Sequence, residues 1–249
     1  MRNIIYGEYK ILIDEGLFFG RGVFETILWK GRPIFLNEHL ERLKKSMEKI
    51  GLLPLEEKIL KEYLDKLYIK NKGVKITVTP LNIIITEREI NYKEEDYNRG
   101  MKLTISKVRR NSTSNLCYIK STCYIENLIE KENAKKAGYD DVIFLNENGY
   151  VTETSCANIF IVKNKDMFTP KIEDGLLGGI IREEIIKNCK VEKKSITIED
   201  LKDSEEVIIT NSLMGVMHIS EIDNIKYSNN QVSYTLNEEL KLWENYNKL

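Results

Sequence analysis

One lysine stands inside an apolar and aromatic stretch, "LCYIKSTCYIEN" at residues 116–127. Lys120 follows Leu116, Tyr118 and Ile119 and precedes Tyr124 and Ile125. Two readings suit it. Lysines are seldom fully buried, and the stretch alone is satisfied by a lysine on the wet face of a strand with its stem along apolar neighbours. A desolvated ammonium, by contrast, loses ground to the neutral amine, and such an amine forms a Schiff base with an aldehyde cofactor and then moves protons. This second chemistry needs partners elsewhere in the chain: an anion site for a phosphate and an acid for a ring nitrogen.

Candidates for both exist. In "GYVTETSCANIF" Val151 and Glu153 share one face of a strand. Glu153 is then either an exposed glutamate near a hairpin end or a partly buried carboxylate able to pair with a pyridinium nitrogen. In "GLLGGIIREE" Gly178 and Gly179 directly precede a helix. Free N–H groups and the helix dipole there suit an anion, although a Gly-Gly pair is also ordinary turn chemistry. "TNSLMG" follows a strand and offers Ser212 with backbone N–H groups. Arg42, in "HLERL", stands beside an apolar helix stripe, placed either to reach inward or to face solvent.

The elements that must position these residues are legible in outline. "EYKILI" and "GVFETILWKGRPIF" read as strands. In "LNEHLERLKKSMEKIG" Leu40, Leu43, Met47 and Ile50 recur at helical spacing, with Asn37 to cap and Gly51 to end the helix. A helix over 56–70 turns Ile59, Leu60, Tyr63, Leu64 and Leu67 inward, and "VKITVTP", "NIIITERE" and "MKLTISKV" are strands. These make an N-terminal α+β half over 1–108. The polar "RRNSTSN" at 109–115 reads as a linker, and 116–249 form the second half. There a helix over 125–137 ends at Gly138 and a run of short strands turns at Asn148-Gly149. The helix "IIREEIIKN", the strands "EEVIITN" and "VMHIS" and a last helix over 236–247 follow.

Composition removes several function classes. The 249 residues carry 38 basic and 39 acidic side chains, net charge −1, so no general attraction to nucleic acid or anionic membrane is expected. No long uncharged apolar run is present, so no membrane span is expected. The N-terminal "MRNIIYGEYKILIDEG" is too acidic, and its apolar run too short, for a signal peptide, which makes the cytoplasm the expected compartment. Cys117, Cys123, Cys156 and Cys189 form no CxxC pair and read as free thiols. With two histidines, His39 and His218, a histidine-rich metal site is excluded, and no GxSxG elbow is present. Chemistry run by lysine, carboxylate, hydroxyl or an organic cofactor remains.

In their order the blocks "FFGRGVFETI", "HLERL", "YIKSTCYIENLIEKENAKKAGYDDVIFLNENGYVTETSCANIF" and "GLLGGIIREEII" resemble the class IV aminotransferases, the fold-type IV pyridoxal-phosphate enzymes. The resemblance covers essentially the whole chain. It implies a two-domain α+β architecture, with a smaller N-terminal α/β domain and a larger C-terminal mixed β/α domain, the cofactor between them, and a homodimer. By that resemblance Lys120 is the cofactor-bearing lysine and Glu153 the partner of the pyridine nitrogen. The phosphate contacts fall on Arg42, on Ile180 and Ile181 at the helix start, and on Ser212 and Leu213. Tyr124 looks like the tyrosine that meets the cofactor's phenolic oxygen. The implied cofactor is pyridoxal 5'-phosphate.

The chain departs from the family pattern at three places. Cys123 stands where many members have asparagine, Thr154 where glycine is usual, and Ile181 where a "GIT" threonine is usual, so a backbone donor survives there without the hydroxyl. "TNSLMGVMHI" and the missing threonine look more like 4-amino-4-deoxychorismate lyases, which release p-aminobenzoate and pyruvate for folate synthesis. Near "VKITVTPLNIIIT" there is no arginine of the kind D-amino-acid aminotransferases use. A branched-chain or D-amino-acid aminotransferase is the alternative, and a homodimeric binding protein without turnover is the reading from a different class. Arg21, Arg109 and Arg110 are the candidate grips for substrate carboxylates, since arginine suits bidentate contact.

Overall fold

The computed structural model describes residues 2–7 and 10–246. The chain divides into two compact units: residues up to Asn91 with Ile119–Cys123, and Tyr92–Tyr118 with the chain from Tyr124 onward.

The first unit contains β1 (Asn3–Tyr6), α1 (Glu15–Phe19), β2 (Val23–Trp29), α2 (Leu36–Lys49), α3 (Glu57–Leu64), β3 (Lys72–Val78) and β4 (Asn82–Arg88). Its four strands lie in the order β1-β4-β3-β2, with β1 parallel to β4 and the other pairs antiparallel. Cross-strand partners share a face. Val23, Ile27, Val74, Ile76, Val78, Ile83 and Ile85 therefore form one apolar surface, packed with Leu40, Leu43 and Met47 of α2 and Leu60 and Leu64 of α3. The opposite surface carries Phe24, Thr26, Lys75 and Thr77. Helix α2 ends at Gly51, whose φ of +67° suits the left-handed turn of a helix terminus. Asn37 does not cap α2. Phe35 occupies that position with φ +54° and no side-chain bond, and Asn37 accepts a hydrogen bond from Lys61 instead.

Three expectations for this half change. The first strand is β1, not "EYKILI": Glu8 and Tyr9 lie outside the described residues, and 10–13 run without a strand. Leu12 pairs its N–H and C=O with the buried Asn82 side chain, each at 2.9 Å, so a side chain replaces the ladder. Helix α1, capped by Asp14 through Gly16 N–H, was not anticipated. Helix α3 stops at Leu64 instead of continuing to 70, and its Ile59 faces outward.

The second unit contains α4 (Glu94–Arg99), β5 (Met101–Arg110), α5 (Ile125–Lys136), β6 (Asp141–Asn146), β7 (Val151–Thr154), β8 (Asn158–Lys163), β9 (Asp166–Thr169), α6 (Ile180–Asn188), β10 (Val191–Lys193), α7 (Ile198–Lys202), β11 (Glu206–Asn211), β12 (Gly215–Ile222), β13 (Ile225–Lys226) and α8 (Gln231–Tyr246). Its sheet runs β10-β9-β8-β11-β12-β5-β6-β7, and a further pairing of β7 with β8 closes six of these strands into a ring. Leu103, Ile143, Val151, Ile159, Val207, Ile209, Met217 and Ile219 belong to its core. The closing pair is Glu153 with Asn158.

The division thus differs from 1–108, 109–115 and 116–249. Strand β5 was read with the N-terminal half, yet it pairs in parallel with β12 and β6 of the second unit. Parallel partners are remote in sequence, and local pattern carries no record of them. Arg109 and Arg110 close β5 rather than open a linker, and α8 begins before Leu236, while Asn247 lies outside the described residues.

Candidate active site

Strand β2 organises the candidate residues of the first unit. The Phe24 N–H donates to Lys120 O at 2.8 Å, Val23 bridges Ser121, and Thr122 N–H donates to Gly22 O at 2.9 Å. The segment 120–122 is thereby bound to the start of β2, and Lys120 is not in a strand of its own. Its Nζ lies 4.7 Å from the centroid of the Phe24 ring, within cation–π range. Nearby, Gly20 has φ +66°, and a Cβ there would stand 2.6 Å from Cys123 Sγ, so both steric and backbone reasons require glycine.

On the other surface of β2 lies Glu25, fully buried. Arg42 grips it with two parallel bonds, Nε to Oε1 at 2.7 Å and Nη2 to Oε2 at 2.6 Å. His39 Nδ1 is 2.6 Å from Oε2. Burial would raise the Glu25 carboxyl, but the Arg42 charge, with His39, overrides it and holds the group at about 2. Burial lowers the proton affinity of His39 against the pull of Glu25, with Arg42 and Lys120 adding to the depression. A neutral imidazole facing a carboxylate must carry its proton on Nδ1 and donate. Glu25 and His39 were not among the expected site residues. Glu25 shares its strand face with Val23 and Ile27, the same signal that singled out Glu153, and so was accessible to pattern reasoning.

In the second unit Glu153 Oε2 accepts from Leu177 N–H at 3.2 Å and from Asn158 Nδ2 at 3.4 Å. The Asn158 amide also donates to Leu177 O at 2.7 Å. The seam residue of the ring therefore ties the carboxylate to the chain leading into α6. Gly179 caps α6, and a Cβ on it would stand 1.9 Å from Asn158 Oδ1, which accounts for the second glycine. Ile180 and Ile181 open α6, where first-turn N–H groups have no partner inside the helix. In the turn after β11, Asn211 Oδ1 accepts from Leu213 N–H at 3.0 Å and Met214 N–H at 2.8 Å. Leu213 N–H is therefore engaged, and Ser212 supplies the hydroxyl of this turn.

Tyr124 is half-buried just before α5, and its hydroxyl donates to Ser155 O at 2.6 Å. Burial pushes the phenol well above its usual range, so it stays protonated. Asn127 donates to the same carbonyl at 2.7 Å. The hydroxyl of Thr154, the departure from glycine, accepts from Cys156 and Ala157 N–H at 3.3 and 3.0 Å and shapes the turn that presents Ser155.

The three arginines offered for substrate carboxylates are engaged. Arg21 pairs with Glu15 and donates to Ile50 O and Gly51 O. Arg109 donates to Ser106 O at 2.9 Å. Arg110 binds Glu126 and Asn127 and stacks 3.8 Å over the Phe144 ring.

Each unit thus holds chemically matched groups. The first carries a primary amine beside an aromatic ring and an arginine held by a carboxylate. The second carries a carboxylate held by amides, a helix start that admits no side chain at its cap, and a hydroxyl-bearing turn. By type, these are the groups that a phosphorylated pyridine aldehyde calls for.

The sequence profile described as amino-transferase class IV matches residues 22–222. An aminodeoxychorismate lyase of Bacillus subtilis is 27% identical over 242 residues, 86% of this chain and 82% of that protein. A D-alanine aminotransferase of Listeria monocytogenes is 30% identical over 242 residues, with the same coverage of 86% and 82%. The crystal structure of a branched-chain aminotransferase from Thermoproteus uzoniensis superposes with a TM-score of 0.81 at 25% identity, covering 94% of this chain and 89% of that one.

Proposed function

The chain belongs to the amino-transferase class IV family of pyridoxal-phosphate enzymes, and on that premise we propose that it is a 4-amino-4-deoxychorismate lyase using pyridoxal 5'-phosphate. The similarity to the Bacillus lyase supports this reading, but the similarity to the D-alanine aminotransferase is as extensive. The observation that carries the choice is the β3–β4 hairpin, which has no arginine from Lys72 through Thr86 with which to hold an amino acid's carboxylate. The turn "TNSLMG" and Ile181 agree with it.

Pyridoxal 5'-phosphate, when bound, supplies a carbonyl for the substrate amine and a ring that accepts electrons. Lys120 holds the group through its amine and, once released, takes the proton from the ring carbon bearing the substrate's amino group. Glu153, positioned by Leu177 N–H and Asn158, keeps the pyridine nitrogen protonated. Arg42, oriented by Glu25, would bind phosphate, and the start of α6 and Ser212 offer donors of the same kind. Tyr124 stays protonated and borders the cofactor's phenolic oxygen. The enolpyruvyl portion leaves as pyruvate, the remaining ring becomes aromatic p-aminobenzoate, and aromatisation drives the step. The same reading makes the enzyme a cytoplasmic homodimer serving folate synthesis. Among the described residues no helix is long and apolar enough to cross a membrane.

The test is to supply aminodeoxychorismate without any 2-oxo acid. Sustained release of p-aminobenzoate and pyruvate is expected. No release, with rapid amino-group exchange between L-glutamate and a branched 2-oxo acid or between D-alanine and 2-oxoglutarate, would replace the lyase by an aminotransferase.

A further inference from the structure

Helix α4 is short, yet it is anchored at both ends. Asp96 accepts from the Lys93 N–H at 3.0 Å at its start. At its end the Arg99 guanidinium grips Asp140 with bonds of 2.8 and 3.1 Å, and the same carboxylate accepts from Lys102 N–H at 2.8 Å. So fixed, α4 turns Tyr97 to the core of the second unit, where it packs against the cluster that contains Met214 and Met217. The Tyr97 hydroxyl donates to Met214 O at 2.6 Å. Burial pushes this phenol up to about 12, with Tyr92 and Asp96 adding to the shift, so the hydroxyl keeps its proton and donates.

Met214 belongs to the turn between β11 and β12 that carries Ser212. That turn is braced from three sides. Asn211 Oδ1 closes it from within on the Leu213 and Met214 N–H groups. Asn237 of α8 pairs with the N–H and C=O of Val216, at 3.2 and 2.7 Å, and fixes the strand that leaves it. Tyr97 takes the Met214 carbonyl. Met214 is buried, so loss of that hydroxyl removes a donor where water does not readily replace it, and a buried acceptor without its donor drives the backbone to shift. None of the three braces uses Ser212, whose hydroxyl has no hydrogen-bond partner among the described residues.

We propose that Tyr97 is a positioning residue of the phosphate site: by holding Met214 O it sets the conformation of the turn, and with it the place of the Ser212 donors. The proposal rests on the reading that the protein binds pyridoxal 5'-phosphate with Ser212 at the phosphate. It makes α4, which supplies no group to the candidate site, a determinant of how well the phosphorylated cofactor is told from its unphosphorylated form.

The test is equilibrium dialysis of the cofactor-free protein against pyridoxal 5'-phosphate and against pyridoxal, which differ by the phosphate alone. The wild type is expected to hold the phosphorylated form more tightly. Tyr97→Phe keeps the ring and removes the hydroxyl. It should weaken pyridoxal 5'-phosphate by roughly fivefold or more, the size of one lost hydrogen bond, and pyridoxal by less than about twofold. Ile196→Val, a core change at the bridge to Val151, supplies the comparison: a general loss of stability should leave the ratio of the two affinities within about twofold of wild type. Tyr97→Met replaces Tyr97→Phe if circular dichroism shows the latter unfolded. An equal loss for both ligands, no loss, or a ratio that falls as far in Ile196→Val overturns the proposal. A wild type without preference for the phosphorylated form overturns the cofactor reading and the proposal with it, whereas a wild-type preference that Tyr97→Phe leaves intact overturns the proposal alone.

Discussion

Lys120 is positioned by its main chain before its side chain does anything. Its carbonyl accepts from Phe24, and the next two residues are bonded to the start of β2. Replacing the side chain leaves these bonds intact. Lys120→Ala is therefore expected to unfold at nearly the wild-type denaturant midpoint while losing the borohydride-reducible band and turnover. Peptide mapping of the reduced wild-type protein should place the label on Lys120; a label on another lysine would refute the assignment. At this scale the sequence carried much. The lysine, Glu153 and Arg42 stood out by residue type and setting, and matched family blocks in order. Whether a cation is spoken for was not legible. Nothing in "RRNSTSN" or "FFGRGVF" reveals that Arg110 lies on Phe144 or that Arg21 reaches Gly51 O, because those partners are distant in sequence.

Among elements, the entry to α6 is the most exacting. Gly178 and Gly179 look alike in the sequence, but the structure separates them. A Cβ on Gly178 would meet only Ile172 Cδ1 at 3.8 Å, ordinary contact, while one on Gly179 would collide with Asn158 Oδ1 at 1.9 Å. Asn158 cannot withdraw freely, because its amide holds Leu177 O and faces Glu153. Gly179→Ala should therefore destabilise the protein by about 1–3 kcal/mol, read as a lowered urea midpoint, and weaken cofactor binding. Gly178→Ala should stay within about 0.5 kcal/mol of wild type. Equal effects would mean that the α6 entry relaxes as a whole. Helices α2, α5 and α6 were legible because a 3.6-residue period is a local signal. Strand β1 was misplaced because the apolar run at Ile11–Ile13 satisfies a strand pattern, while the buried Asn82 side chain takes the backbone groups of Leu12.

For the whole molecule, the buried titratable groups set the response to acid. Burial lowers the proton affinity of His39 and also of His218, where Glu206 opposes it. Between their folded pKa values and the ordinary 6.5, the unfolded chain binds more protons than the folded one, so stability falls as pH drops below about 6.5. Glu25, held at about 2 against an ordinary 4.5, adds a second loss as pH falls below 4.5, on the order of 3 kcal/mol once pH passes below its folded value. Urea midpoints measured from pH 8 to pH 4 should decline in that order. His39→Asn should flatten the upper part of the curve, and a midpoint indifferent to pH between 7 and 5 would show that the imidazoles are not held neutral. By itself the sequence determined the family, the α+β class, the residue types available for chemistry and most helices, because these rest on local pattern and on ordered blocks. Tertiary structure alone decided that β5 belongs with β12 and β6, that Glu25 turns Arg42 and that three arginines are engaged. Each of those depends on a partner brought close by pairing across long stretches of chain, and the side chain's own neighbours in sequence do not specify that partner.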